Sequence, residues 1–287
     1  MIEATNYGGL PPEYSSADTA RVVIVPVPYD GTSTYMKGAD KGPEAIIRAS
    51  GNMELYDIET DSQVYQEGIF TDEPVDSGPE VGKMVKAVER RVNNHLVKDK
   101  FVVVLGGEHS VSVGAVQAHA RKYPGMTVLQ FDAHSDLRSE YEGSKYNHAC
   151  VMARVKEICP IVQVGIRSMD ISEKPAMDRK RVFSAEDIHA GSVSVDDIMG
   201  ALTDQVYITI DLDAFDPSIM PSTGTPEPGG LSWYYVLDLL KRVCRRSTVV
   251  GFDIVELCPV ETNWGPDFMA AKLIYKLLSY KFRGQHG

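Results

Sequence analysis

Long apolar runs are absent from this chain. None approaches the roughly 20 consecutive residues that a membrane-spanning helix needs, so no helical span is expected. The N-terminal stretch MIEATNYGGLPPEYSSADTA lacks the basic start and apolar centre of a secretion signal, and a cytoplasmic location is the expectation. Cysteine is scarce: Cys150, Cys159, Cys244 and Cys258 are the only four, and no two stand in C-x-x-C spacing. That argues against a paired zinc or redox motif and a disulfide framework, and leaves free thiols in a reducing compartment. Positive charge is in deficit, with 29 Lys and Arg against 40 Asp and Glu and a formal net charge of −11. Such a surface repels nucleic acid and anionic membranes and mildly favours cationic small molecules. Low-complexity tracts, linker-like stretches and internal repeats are missing too, so residues 1–287 are read as one domain.

What the chain does have is a recurrence of short Val- and Ile-rich runs: RVVIVPVP from Arg21, FVVVLGG from Phe101, MTVLQFDAH from Met126, PIVQVGIRS from Pro160, QVYITIDLD from Gln205 and STVVGFDIVE from Ser247. Nearly continuous branched apolar content predicts strands covered on both faces, as in a parallel sheet. Helical patterns lie between them. GPEAIIRAS carries Pro43 in a first-turn position, and residues 79–98 place Val81, Met84, Val85, Val88 and Val92 at three-and-four spacing. SVGAVQAHARKY, HACVMARVKEI, SWYYVLDLLKRVCRR and FMAAKLIYKLLSYKF continue the alternation. Strand–helix alternation along the whole chain predicts an α/β fold with a mostly parallel sheet. Loops 29–42 and 213–230 are long and rich in Gly, Pro, Ser and Thr, the kind of loop on which sites are built.

The polar residues of interest fall where the strands end. FVVVLGG runs into Glu108, His109 and Ser110; MTVLQF into Asp132, His134 and Asp136; VYITI into Asp211, Asp213 and then Asp216; TVVGFDIV into Glu256. In open parallel sheets the binding crevice lies outside those carboxyl ends. If 132–136 continues as a strand, period-two alternation puts Asp132, His134 and Asp136 on one face. A D-x-H-x-D stretch alone could equally be a polar loop with an Asp capping the next helix. Asp211-x-Asp213 after a second strand and His109 after a third make that bland reading improbable. Four carboxylates and two imidazoles are too many for one small cation, and they suit two divalent ions bridged by carboxylates. The absence of thiolate and the excess of oxygen favour Mn²⁺. Glu256 then offers the anion a cationic substrate would need, against the alternative of a salt-bridged loop acid. His148 opens a helical pattern, and spacing alone favours a capping or surface histidine over a proton shuttle. His95, His119, His189 and His286 read as ordinary structural or surface histidines, His189 in a polar turn.

Taken together, Gly106-Gly107-Glu108-His109-Ser110, Asp132-Ala133-His134-Ser135-Asp136 and Asp211-Leu212-Asp213-Ala214-Phe215-Asp216-Pro217, followed by Thr223-Gly224-Thr225-Pro226 and Gly229-Gly230, resemble the signatures of the arginase/agmatinase (ureohydrolase) family. Pro28-Tyr29-Asp30-Gly31, Gly42-Pro43-Glu44-Ala45-Ile46, Gly165-Ile166-Arg167-Ser168 and Phe252-Asp253-Ile254-Val255-Glu256 extend the likeness over nearly the whole chain. The resemblance implies a three-layer αβα domain with a parallel sheet and two Mn²⁺ per chain. His109, Asp132, Asp136 and Asp211 would hold one ion; Asp132, His134, Asp211 and Asp213 would hold the other, with Asp132 and Asp211 bridging. A hydroxide shared by the metals would attack the guanidinium carbon. Asp136 would orient it and pass a proton to the leaving amine, Glu256 would hold the guanidinium by paired charge-assisted hydrogen bonds, and His148 would be the shuttle histidine. Glu108, Asp216 and Thr225 would support these residues or shape the loops. A homotrimer or homohexamer is implied, with a cationic guanidino compound as the small-molecule partner and neither nucleic acid nor membrane.

Arginases carry an Asn shortly after D-x-H-x-D to hold the substrate carboxylate, whereas Leu137-Arg138-Ser139-Glu140-Tyr141 stands here. The stretch DLRSEYEGSKYNHA is similar to the agmatinase branch, in which Glu140 or Glu142 could favour a cationic tail. Agmatine, cleaved to putrescine and urea, is therefore the expected substrate. Arginine, guanidinobutyrate, aminopropylagmatine or guanidine are the alternatives, and Arg138 keeps a carboxylate-bearing substrate open. Outside this class stand a catalytically silent ligand-binding homologue and a single-metal deacetylase on a related scaffold. Residues 258–265, CPVETNWG, depart from the usual family pattern and leave side-chain specificity open there.

Overall fold

The computed structural model describes residues 5–76 and 78–283, so His286 lies outside the described residues. Eight strands form one sheet: β1 (Val22–Val27), β2 (Ile69–Thr71), β3 (Phe101–Gly106), β4 (Thr127–Phe131), β5 (Ile161–Ile166), β6 (Val182–Ser184), β7 (Gln205–Asp211) and β8 (Thr248–Val255). All pair in parallel, in the order β2-β1-β3-β8-β7-β4-β5-β6. Each of the six expected strands forms. The two not anticipated, β2 and β6, are three residues long and lie at the edges, too short to show a period in the sequence.

Alternation along each strand divides the core in two. Val22 and Ile24 of β1, Val103 and Leu105 of β3 and Ile208 and Ile210 of β7 pack on one face, against the helices Gly42–Ser50, Trp233–Arg246 and Gly265–Arg283. Val23, Val25 and Val27, with Val102 and Val104, pack on the other, against the helices Val81–Leu96, Val111–Lys122 and Val151–Lys156. Helices on both sides of a parallel sheet give three αβα layers, which is why these strands read as continuous apolar runs. The pattern from His148 onward is a 3₁₀ turn (His148–Cys150) leading into the helix Val151–Lys156 rather than one helix. His189 ends a short helix (Ala185–His189), so it is not in a polar turn. Among the described residues, no helix is long and apolar enough to cross a membrane.

The strand order matters most for function. The strands whose ends carry His109, Glu256, Asp211 with Asp213, and Asp132 to Asp136 are β3, β8, β7 and β4, and these are four consecutive neighbours. Residues from 109 to 256 are thereby delivered to one edge of the sheet.

Candidate metal centre

The turn after β3 is tight because it must be. A Cβ on Gly107 would stand 2.0 Å from the Tyr29 carbonyl oxygen, so only glycine allows the end of β3 to press against loop 29–42. This close approach holds His109 at the mouth of the sheet, with its side chain buried. Its Nδ1 faces three carboxylates: Asp136 Oδ2 at 3.0 Å, Asp132 Oδ2 at 3.2 Å and Asp211 Oδ2 at 3.5 Å. Beyond them His134 Nδ1 lies 2.8 Å from Asp213 Oδ2 and 3.7 Å from Asp132 Oδ1. Donor atoms of His109, Asp132 and Asp211 come within 4.8 Å of one another, and so do those of Asp132, His134 and Asp213. Asp132 belongs to both groups, and the structure brings all six expected ligand residues together.

The tautomer of His109 shows what this cluster is built for. Its Nε2 lies 2.9 Å from Thr209 Oγ1, and Thr209 in turn donates to Asp253 Oδ1 at 2.6 Å. The single hydroxyl proton of Thr209 is thus used, so Thr209 accepts from Nε2–H, and Nδ1 keeps its lone pair. That buried Nδ1 has no hydrogen-bond partner while it faces carboxylate oxygens. A lone pair aimed at anions is repulsive unless a cation lies between them. The acids point the same way. Burial first, then the charges of Asp136 and Asp213, push Asp132 up to about 7. Burial and the charges of Asp213, Asp132 and Glu256 raise Asp211 well above the carboxylate range. Donor atoms and charge therefore fit divalent metal ions.

Asp253 and Thr209 escaped the sequence reading as working residues because they lie inside strands; register pairs them directly across β7 and β8. A similar polar layer underlies the D-x-H-x-D loop. Gln130 donates to Asp132 Oδ2 at 2.6 Å, Gln163 donates to Gln130 and to the Ser135 carbonyl, and Glu173 accepts from Ser135 Oγ and from the Leu137 N–H. The Arg167 guanidinium donates to the carbonyls of Asp213 and Glu227 at 2.7 and 2.8 Å, clamping the β7 turn to the following loop. Asp216 accepts from Ser218, Gly229 and Gly230 backbone N–H groups, so it shapes that loop and touches none of the ligands.

A cavity of about 300 Å³ opens over the cluster, lined by His109, His134, Asp136, Asp211, Asp213, His148 and Glu256 together with Thr225. Glu256 is buried at its floor. Both Asp136 (φ 52°) and Glu256 (φ 65°) hold left-handed backbone conformations, which cost side-chain-bearing residues about 1–3 kcal/mol each and recur at working sites. His148 lines the cavity and is half-buried; burial, which disfavours the imidazolium, holds it below the usual histidine range. At the mouth, Arg138 stacks on Tyr141 with 4.7 Å from its guanidinium carbon to the ring centroid, and its Nη2 lies 3.7 Å from Asp170 Oδ2. Glu140 and Glu142 are not among the lining residues; Tyr141 and Asp170 are. Asp170 follows the fifth strand by sequence distance alone, with no motif to mark it.

The model of the arginase family matches residues 20–279. The chain belongs to the arginase family. Among its relatives, the N(1)-aminopropylagmatine ureohydrolases of Thermus thermophilus and Synechocystis sp. are 43% and 41% identical to it, over 92% and 93% of this chain and 91% and 90% of theirs. The crystal structure of agmatine ureohydrolase of Thermoplasma volcanium superposes with a TM-score of 0.84 at 31% identity, covering 98% of this chain and 94% of that one. As an arginase-family ureohydrolase the protein is a hydrolase, and the strand-end carboxylates and histidines described above are its candidate metal ligands.

Proposed function

We propose that this arginase-family protein is a binuclear manganese enzyme that hydrolyses N1-aminopropylagmatine to urea and the corresponding triamine. Two overlapping ligand groups that share Asp132 carry the binuclear reading; the oxygen-rich, thiolate-free donor set favours Mn²⁺. His109, Asp132, Asp136 and Asp211 would hold one ion and Asp132, His134, Asp211 and Asp213 the other. When bound, the ions lower the pKa of water toward neutrality and stabilise developing negative charge. Glu256 holds the guanidinium by its charge and thereby fixes the carbon to be attacked. Asp136 takes the proton released as water adds and gives it to the departing nitrogen, so that the amine leaves neutral, water supplies the urea oxygen, and the second proton of the water is shed from that oxygen. His148, at the cavity wall, exchanges that proton with solvent.

The tail is read from the relatives and the mouth. At 41–43% identity the named substrate is agmatine extended by an aminopropyl group, while an agmatine enzyme lies at 31%. Met36 and Met169 offer apolar wall to methylene groups, and Asp170, whose carboxylate offsets the charge of Arg138, leaves the mouth without an unpaired cation to repel an ammonium. Arg138, already paired with Asp170 and stacked on Tyr141, is poorly placed to anchor a carboxylate. Agmatine, the expectation from sequence, stands as the second reading.

Urea release by Mn²⁺-loaded protein from N1-aminopropylagmatine, agmatine, arginine and guanidinobutyrate tests this. The highest kcat/KM is expected for N1-aminopropylagmatine, with agmatine next. A preference for arginine would make Arg138 an anchor after all, and urea from none of them would overturn the reading.

A further inference from the structure

Thr32 lies in loop 29–42, far in sequence from any metal motif. Its hydroxyl oxygen has three partners: Glu108 Oε2 at 2.7 Å, the backbone N–H of His148 at 2.9 Å and His148 Nδ1 at 3.1 Å. A hydroxyl has one proton and two lone pairs. The His148 backbone N–H can only donate, so it occupies one lone pair. The remaining proton goes to Glu108 Oε2, which is the shorter contact and an oxygen that also accepts the Ser110 N–H. Glu108 is held for this role: it is buried, and Ser110 donates to it through both Oγ and backbone N–H. The last lone pair of Thr32 must then accept from Nδ1–H of His148.

From this we infer that Thr32, oriented by Glu108, is a positioning residue that fixes neutral His148 in its Nδ1–H tautomer and leaves the Nε2 lone pair to exchange protons in the cavity. Thr209 and Asp253 do the same for His109 with the opposite outcome, since they take Nε2–H and free Nδ1. Two hydroxyl–carboxylate pairs thus set two histidines in opposite tautomers, one to ligate and one to carry protons. The inference rests on the reading of His148 as the proton-exchanging residue.

The test is a mutant cycle on the Mn²⁺-loaded enzyme with N1-aminopropylagmatine, or agmatine if that is the better substrate. Thr32→Val keeps the shape and removes the hydroxyl. It is expected to lower kcat about 10–100-fold, the range for residues that orient a working group, with KM and metal content little changed. Thr32→Ser should restore most of the rate. Placed in a His148→Asn background, Thr32→Val should cost less than about 2-fold, because residues acting as a unit are not additive. Glu108→Leu supplies a second arm should Thr32→Val fail to fold: it removes the acceptor of the Thr32 proton, which then turns to Nδ1, and should lower kcat in wild type but not beside His148→Asn. Additive losses, a change in KM alone, or Thr32→Ser as slow as Thr32→Val would overturn the inference. Wild-type turnover in His148→Asn would instead overturn the role of His148 itself, and the inference with it.

Discussion

The carboxylate of Glu256 accepts the backbone N–H of His109 at 2.7 Å, and the Glu256 N–H donates to the Gly107 carbonyl at 2.8 Å. The acid proposed to hold substrate is thus tied to the turn that carries a metal ligand, although 147 positions separate them in the chain. The tie is made by the neighbouring strands β3 and β8, and it explains how Glu256 keeps a left-handed backbone conformation.

Glu256→Gln preserves the acceptor for the His109 N–H and removes the charge. Losing a buried charge-assisted pair costs about 2–5 kcal/mol, so kcat/KM should fall on the order of 30-fold to several thousand-fold. Metal content should hold, and N1-aminopropylagmatine and agmatine should suffer alike because both present the same guanidinium. Loss of metal in the purified variant would show Glu256 to be a ligand instead.

The purified protein is expected to bind close to two Mn²⁺ per chain. Chelation should abolish urea release and added Mn²⁺ should restore it. One tightly held zinc per chain in an active preparation, measured by elemental analysis, would refute the binuclear reading.

Asp132 faces both histidines, whereas Asp216 accepts from backbone N–H groups of its own loop. Asp132→Ala or Asp211→Ala should lower both metal content and turnover, the latter by several orders of magnitude. Asp216→Ala should cost about 10–100-fold and keep its metal, as supporting residues do. Equal metal and turnover in Asp211→Ala and wild type would remove Asp211 from the centre.

His119 is unrelated to the metal and gives a separate pH signature. Its ring is buried against Tyr207 and occupies the space left by Gly251, with Nδ1 on the Ala115 carbonyl. Burial holds its pKa down at about 4, below the unfolded value of about 6.5. The unfolded chain therefore binds more protons between these values, so this contribution to stability is present above about pH 6.5 and is lost as pH falls toward 4. The loss should approach about 3 kcal/mol. Denaturant unfolding of wild type and His119→Gln across pH 4–7 isolates it, since other titrating groups are common to both. Parallel curves would show that His119 is not buried as the neutral form.

Much of the site could be read from the chain because metal chemistry demands particular side chains at strand ends. His109, Asp132, His134, Asp136, Asp211 and Asp213 were each identifiable as polar residues that interrupt apolar runs. His148 was not: spacing favoured a bland histidine, and its contact with Thr32 joins loops 116 positions apart. Thr209, Asp253, Gln130 and Gln163 were invisible as a class, since polar residues inside strands announce no partner until register is known. The short edge strands β2 and β6 carried too few residues to show a period.

By itself, then, the sequence determined the α/β class with a mostly parallel sheet and the kind of chemistry, because strand period, helix period and ligand type are local properties of residues. Only the tertiary structure decided the order β3-β8-β7-β4 that gathers the ligands, the threonine hydroxyls that meet His109 and His148, and the placement of Asp170 rather than Glu140 or Glu142 among the residues lining the cavity. Those depend on which strands and loops become neighbours, and that is not encoded within a short window of chain.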